Sequence, residues 1–425
     1  MSWRGRFRLL AGAYSLSSYG SYLNMVALNL FVYQVTGSVL GMGAFMAVRL
    51  ISGVLAGAVA RTLITRMGRR PVMIWANAAP AVALVALVCC PVALRPAMLF
   101  ATALISGLGS TLFLVAQRSS VPGMVPADRL GWANSLVITG RSLAMVGGFA
   151  SAGLVVSWWG YSAAMLVDAA TFVACAAVVA WVRITGVTNE PVPRPVAVPA
   201  RRSWVRPWAV LGGTVSAMIA LRAVDAFGSS SHNVALPVYS TLLHPHQPAT
   251  FVSQFWCCWA IGNVVVQQLV RRYGGRDGRD GRDGRSAGLR GFAVGTVLMS
   301  AAFVLGFAGL PLVFTLIFAF LAGQADGFTE VSYTTFLQRL PDARRDQAFA
   351  LSATAENTGF GVGMIVNAGV LDRHSPLTVV AGSHGIAIVV GLFMLTYLGW
   401  HRRRDGRTTV GPGRDHRDGV PVSWS

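Results

Sequence analysis

The feature that most constrains this chain is a series of apolar runs of about 20 residues or more, each long enough to cross a hydrocarbon core of about 30 Å as a helix. They fall at 9–34, 38–62, 71–94, 97–120, 133–157 and 161–183, then at 207–234, 250–271, 290–309, 311–337, 348–371 and 377–400. In lipid each backbone N–H and C=O must be satisfied within its own segment, so such runs can only be helices. Charged residues make up 12% of the chain, against about 25% in soluble domains. The pattern predicts an all-α polytopic membrane protein with twelve transmembrane helices. The first run follows Met1–Arg8 and continues to Val35, well past the roughly 7–15 apolar residues of a secretory leader. It reads as the first spanning helix.

All 35 basic residues are arginine, and the formal net charge is +19. In a soluble chain that excess would suggest nucleic acid, but the placement of the arginines points elsewhere. Thirty lie on the side of the N terminus, only Arg95 and Arg373 on the other, and Arg49, Arg141 and Arg222 fall inside runs. Basic loops stay cytoplasmic. The reading is a multi-pass protein of the cell inner (plasma) membrane with both termini cytoplasmic, whose partners are the lipid bilayer and a small-molecule substrate rather than nucleic acid.

Between the sixth and seventh runs, Pro191, Pro193, Pro195 and Pro199 stand among arginines and preclude a regular helix. The chain divides into an N-terminal six-helix half (1–184), a Pro/Arg-rich cytoplasmic linker (185–206), a C-terminal six-helix half (207–400) and a flexible tail (401–425). An Arg-Asp-Gly tract at 275–285 has no apolar side chain to bury and reads as a solvated spacer. Cys89, Cys90, Cys175, Cys257 and Cys258 lie in apolar runs without metal-ligand spacing and read as buried free thiols. His232, His244 and His246 group near the outer loop after the seventh run and read as solvated loop residues rather than a metal site. The sequence has no phosphate-cradling P-loop, zinc signature or nucleophile elbow, so it predicts neither an enzyme nor an ATP-driven pump. No cofactor is expected.

The basic turn Arg61-Thr-Leu-Ile-Thr65-Arg66-Met-Gly68-Arg69-Arg70 has a degraded copy at Gln267-Gln-Leu269-Val-Arg271-Arg272-Tyr-Gly274-Gly275-Arg276. Each follows the second apolar run of its half, as in transporters built from parallel repeats. The first copy resembles the loop between helices 2 and 3 of the major facilitator superfamily, G-x-L-x-D-R-x-G-R-R, with Arg61 in place of the first glycine and Thr65 in place of the aspartate. Val26–Ser38, Val125–Ser135, the helix around Asp168 and Asn233–Tyr239 resemble the drug-efflux branch that includes macrolide exporters. Gly147-Gly148 matches part of that branch's antiporter motif, without its proline. The resemblance implies a monomeric secondary transporter with rocker-switch alternating access, proton-coupled efflux of hydrophobic or amphipathic drug-like molecules, and Arg66, Gly68, Arg69 and Arg70 as a cytoplasmic gating motif. The alternative is a proton-coupled importer of a small metabolite; a non-transporting sensor and a membrane-embedded enzyme are more distant rivals.

Ionisable side chains inside a membrane are costly and mark transport paths. The runs contain Arg49, Arg141, Asp168, Arg222, Asp225, Asp326, Glu330 and Glu356. Arg49 lies 12 residues before Arg61, about 18 Å along a helix and beyond easy snorkelling. Arg222 and Asp225 (i,i+3) can pair on one face. Asp326 and Glu330 (i,i+4) are like charges on one face and candidate proton carriers. Aligning Pro126 with Pro341 sets Gly148 opposite Gly363 and Arg141 opposite Glu356, which suggests a charge gate between the halves. Asp168 admits a structural or a coupling role. Ser18, Tyr22, Asn29 and Tyr33 recur at helical spacing as a polar stripe suited to a cavity wall.

Overall fold

The computed structural model describes residues 2–182, 213–273, 282–338, 340 and 342–408. The linker 185–206, most of the Arg-Asp-Gly tract and the chain beyond 408 lie outside the described residues, as do Gly274, Gly275 and Arg276 of the second basic turn. The helices are α1 (Trp3–Thr36), α2 (Val39–Met67), α3 (Arg69–Cys89), α4 (Arg95–Met124) and α5 (Leu130–Trp181), then α6 (Gly213–Leu243), α7 (Pro248–Tyr273), α8 (Arg282–Gly306), α9 (Leu312–Gln338), α10 (Asp342–Leu371) and α11 (Pro376–Thr408).

Local chemistry sets the breaks. Ser38 caps α2 through the Gly41 N–H, the standard use of a serine hydroxyl at a helix start. Gly68 links α2 to α3 at φ 86°, ψ 159°, a region essentially closed to other residues. This explains the glycine of the basic turn. The fifth and sixth runs form one helix interrupted at Gly160 (φ 79°, ψ 177°). The adjacent Trp158 and Trp159 are exposed, as suits rings at a membrane boundary.

Among the described residues eight helices are long and apolar enough to cross a membrane, α5 being counted once for both its arms. Twelve were expected. α1, α6 and α10 fall short because they carry polar side chains turned into the bundle or its cavity: Ser21 and Asn24 on α1, Arg222 and Asp225 on α6, Glu356 and Asn367 on α10. Burial inside the bundle replaces lipid for those faces, so apolar length understates them. Three expected boundaries also move. α6 runs through Pro237 to Leu243, beyond the expected end at 234. α11 continues to Thr408, into the expected tail, and α8 takes in the last residues of the Arg-Asp-Gly tract.

Helix packing follows a repeated plan. α1 packs on α5 and α6 on α10, while α5 meets α7 and α2 meets α10 across the two halves. Gly148 admits the α1 backbone, since a Cβ there would lie 2.7 Å from the Tyr19 carbonyl; Gly363 likewise admits α6, at 3.0 Å from the Phe227 carbonyl. The pair aligned in the sequence thus makes equivalent contacts. At the end bearing Gly37, Gly160 and the α6–α7 turn, one buried core joins both halves through Phe149, Trp256 and Phe303. At the opposite, arginine-rich end the cores are separate and each stays within one half. The bundle is closed at the first end and parted at the second.

Candidate functional site

The parting encloses a cavity of about 680 Å³ lined by both halves. Its acidic centre is built on α6. Arg222 Nη2 donates to Glu330 Oε2 (2.9 Å) and to Glu356 Oε1 (3.0 Å), and Nη1 stands 3.5 Å from Asp225 Oδ2. The guanidinium also lies over the Tyr333 ring, 5.3 Å from its centroid. The expected Arg222–Asp225 pair is therefore one arm of a hub joining α6, α9 and α10. Exposure divides the arms: the Asp225 side chain is 6% exposed, those of Glu330 and Glu356 52% and 45%. The two glutamates open to the cavity, whereas Asp225 is buried against the arginine.

Asp326 lines the same cavity as Glu330, but their mutual repulsion is relieved separately. Asn263 Nδ2 donates to Asp326 Oδ2 (2.9 Å), and Gln267 Nε2 donates to Asn263 Oδ1 (2.6 Å). Across the cavity Arg141 Nε donates to the Tyr22 hydroxyl (3.0 Å). Arg141 and Glu356 both face the cavity, but the gate pairing suggested by their aligned positions is absent from this arrangement. Each is held within its own half.

The remaining expectations divide. Ser18 and Tyr22 line cavities, whereas Asn29 is buried and Tyr33 packs on the core that closes the far end. The α1 stripe thus crosses from cavity to seal. Arg49 and Asp168 border one small cavity of about 50 Å³ without an ion pair. Of the basic turn, Arg70 donates to the Val179 and Ala180 carbonyls. In this parted state it caps the C-terminal end of α5 within the N-terminal half, where a cation is favoured. Thr65 bonds only back to Thr62 O (2.9 Å). All five cysteines are free, but only Cys175 is buried and Cys89 is exposed.

Asp168 holds the second arm of α5 to α1. It accepts from Asn24 Nδ2 at 2.9 Å and from Ser21 Oγ at 3.4 Å. Asp168→Asn turns one of the two acceptor oxygens into a donor, so Asn24 and Ser21 can no longer both donate to it, a loss of about 1–3 kcal/mol for a buried group left unpaired. The expected result is a lower melting temperature in detergent with flux per folded molecule held within about twofold. Lost flux at an unchanged melting temperature would instead move Asp168 into the coupling path.

Sequence reading missed the aromatic and amide wall. Trp256, Trp259, Asn263 and Gln267 line the cavity from α7; their 3- and 4-residue spacing is a helical stripe that was legible but unread. His232 was misplaced. It is buried within α6, which continues through it to Leu243, and bonds His384 of α11.

Comparison with known proteins agrees with this architecture. No curated protein matches the chain. Solved structures do: a nucleoside transporter, NupG, at 17% identity and TM-score 0.66, covering 93% of this chain and 99% of that one; and a peptide transporter, POT, in complex with sulfate, at 16% identity and TM-score 0.65, covering 95% of each. At such identities the likeness shows the fold alone, and neither structure supports the drug-efflux branch in particular. The profile of the Major Facilitator Superfamily matches residues 10–279. The chain belongs to the Major Facilitator Superfamily, and is a gradient-driven secondary carrier of a small molecule across a membrane, without a catalytic step.

Proposed function

We propose that the chain is a proton-coupled importer of a small metabolite that carries a flat ring and a cationic or strongly hydrogen-bond-donating group. The observation that carries this is the charge of the cavity. Asp326, Glu330 and Glu356 line it and buried Asp225 lies behind Arg222, so the cluster sets four carboxylates against two guanidiniums, Arg141 and Arg222. Two negative charges are left without a partner if all ionise. Closing a dry site around uncompensated charge is costly, so closure is favoured when a proton and a cationic or donor-rich solute arrive together. Both then balance the same cluster and travel in the same direction. An inward proton gradient makes that uptake. Trp256, Trp259, Phe149 and Phe303 supply faces for a ring, and Asn233, Asn263 and Gln267 supply amides. Nucleosides and peptides, the solutes named for the similar solved transporters, are of this general kind.

The same reading takes the chain as twelve spanning helices in two parallel six-helix repeats, residues 1–184 and 207–400, around the 185–206 linker. The paired α1–α5 and α6–α10 contacts support the repeat. With the arginine-rich end cytoplasmic, as the distribution of basic residues favours, the parted end faces inward. A monomer in the plasma membrane completes it.

The test is flux into proteoliposomes under an imposed pH gradient, using nucleosides, dipeptides, lipophilic amines and macrolides. Movement of one class with the protons, abolished by Glu356→Gln, is the expected result. Movement against the protons, with macrolides or lipophilic amines as cargo, would replace import by drug efflux through antiport. Flux indifferent to the gradient would remove proton coupling.

A further inference from the structure

Beyond the carboxylate hub, the described part of the membrane interior contains a hydrogen-bonded chain of two imidazoles. His232 on α6 bonds through Nδ1 to His384 Nε2 on α11, at 3.1 Å, and His384 Nδ1 bonds Ser300 Oγ on α8, at 3.0 Å. Both imidazoles are buried, His384 completely. The Phe303 ring lies nearly parallel under His232 with centroids 3.6 Å apart. It also stacks on His384 at 5.3 Å. Gly228, one turn before His232, makes the crossing possible: a Cβ there would stand 3.3 Å from His384 Nδ1.

The chain has a polarity and an open end. His232 lines the large cavity, and with Nδ1 taken by His384, Nε2 is the ring nitrogen left to meet it. A neutral imidazole has one donor and one acceptor nitrogen, so the two bonds must run in the same direction. In one direction Ser300 donates to His384, His384 to His232, and His232 Nε2–H faces the cavity. In the other, His232 donates to His384, His384 donates to Ser300, and His232 Nε2 is a bare acceptor. A proton taken from cavity water by that bare nitrogen completes a cation. His232 then donates from both nitrogens, and its charge is shared along the N–H···N bond over the face of Phe303, where a cation is favoured.

The charged groups facing the cavity with His232 are Arg141 on α5, Arg222 on α6, Asp326 and Glu330 on α9 and Glu356 on α10. Asp225 lies seven residues back on α6, about 10 Å along the axis. The groups that touch the imidazoles themselves, Trp256 on α7 and Ser300 and Phe303 on α8, are uncharged. No carboxylate or guanidinium bonds either ring among the described residues.

We propose that His232 and His384 form a second proton-binding site of this carrier, holding one proton between two imidazoles and loading it from the cavity through His232 Nε2. Its use in transport rests on the proton-coupled reading above; the binding itself does not. The site lies against Trp256, which stacks on Phe149 of the other half with centroids 5.9 Å apart. A charge there is therefore placed next to the seam that must part.

The test is ¹⁵N NMR of histidine-labelled full-length protein in liposomes, with His244, His246, His374, His401 and His416 changed to Gln so that only the pair reports. Both rings are expected to titrate in one step that takes up a single proton. In the same background His384→Gln should shift the His232 midpoint by about one pH unit or more, and Ser300→Ala, which keeps both rings, should shift it in the same sense. Rings that stay neutral from about pH 4 to 9, or that titrate independently, would overturn the site. Flux measured in parallel separates the two ideas: titration without pH-driven flux removes proton-coupled transport and leaves the site, while pH-driven flux without titration removes the site alone.

Discussion

Arg222→Gln is expected to lower gradient-driven accumulation by about 100-fold or more and to destabilise the C-terminal half. One guanidinium serves three carboxylates, at 2.9, 3.0 and 3.5 Å. Glutamine leaves all three facing one another. Removing one member of a buried pair costs about 3–5 kcal/mol because the other is left uncompensated. Here that cost falls mainly on buried Asp225, since Glu330 and Glu356 are half exposed to the cavity and screened by it. Arg222→Lys should restore folding better than transport, because a compact ammonium cannot span carboxylates on three helices as a planar fork does. Adding Asp225→Asn to Arg222→Gln tests the assignment further. The double variant should recover much of the lost melting temperature, having removed the uncompensated buried charge, and none of the pH-driven flux. Full flux in the single variant, measured in proteoliposomes at matched protein content, would show that the hub is a structural contact only.

The fold was legible in the sequence because the bilayer permits so little. Runs such as 71–94 have one solution in lipid, and the helix Arg69–Cys89 is that solution. The polar helices were harder for apolar length to register and easier for charge. Arg222, Asp225 and Glu356 advertised themselves because ionised groups in lipid need a reason. Their partners did not. That Arg222 would bond Glu330 and Glu356, and Arg141 only Tyr22, depends on how α6, α9 and α10 are rotated against one another, and no local pattern encodes that rotation. His384 escaped notice for a related reason. A single imidazole in an apolar run has no spacing signal, and its meaning comes from His232 and Ser300, 152 and 84 residues away. The basic turn keeps the family's arginine spacing with Thr65 in the aspartate's place, and at the parted end Arg70 caps its own half.

The closed end predicts a second large effect, because its seal depends on two glycines. A Cβ at Gly43 of α2 would lie 2.5 Å from the Ala368 Cβ and 2.7 Å from the Met364 carbonyl of α10; one at Gly153 of α5 would lie 2.8 Å from the Thr250 Cα and 3.0 Å from the Ser253 Cβ of α7. Both contacts cross between the halves, and in each the neighbour includes backbone, which cannot rotate away. Ser253 also donates to the Phe149 carbonyl across the Gly153 contact. Small residues at helix crossings let backbones approach closely in a membrane. An inserted side chain costs typically 1–3 kcal/mol where it cannot be relieved. It is relieved here by parting the halves at this end, so the strain acts on the access equilibrium rather than on folding. Gly43→Val and Gly153→Val stand at separate contacts and should add. Together they supply about 2–6 kcal/mol, enough to shift the ratio of the two access states by about 30-fold to 10⁴-fold. Spin labels at Val92 and Leu242, exposed positions near this end on opposite halves, should move apart in the double variant and partly in each single one, with flux falling at least about tenfold. An unchanged label distance in folded protein would show that the seam yields locally, and that the halves do not part there.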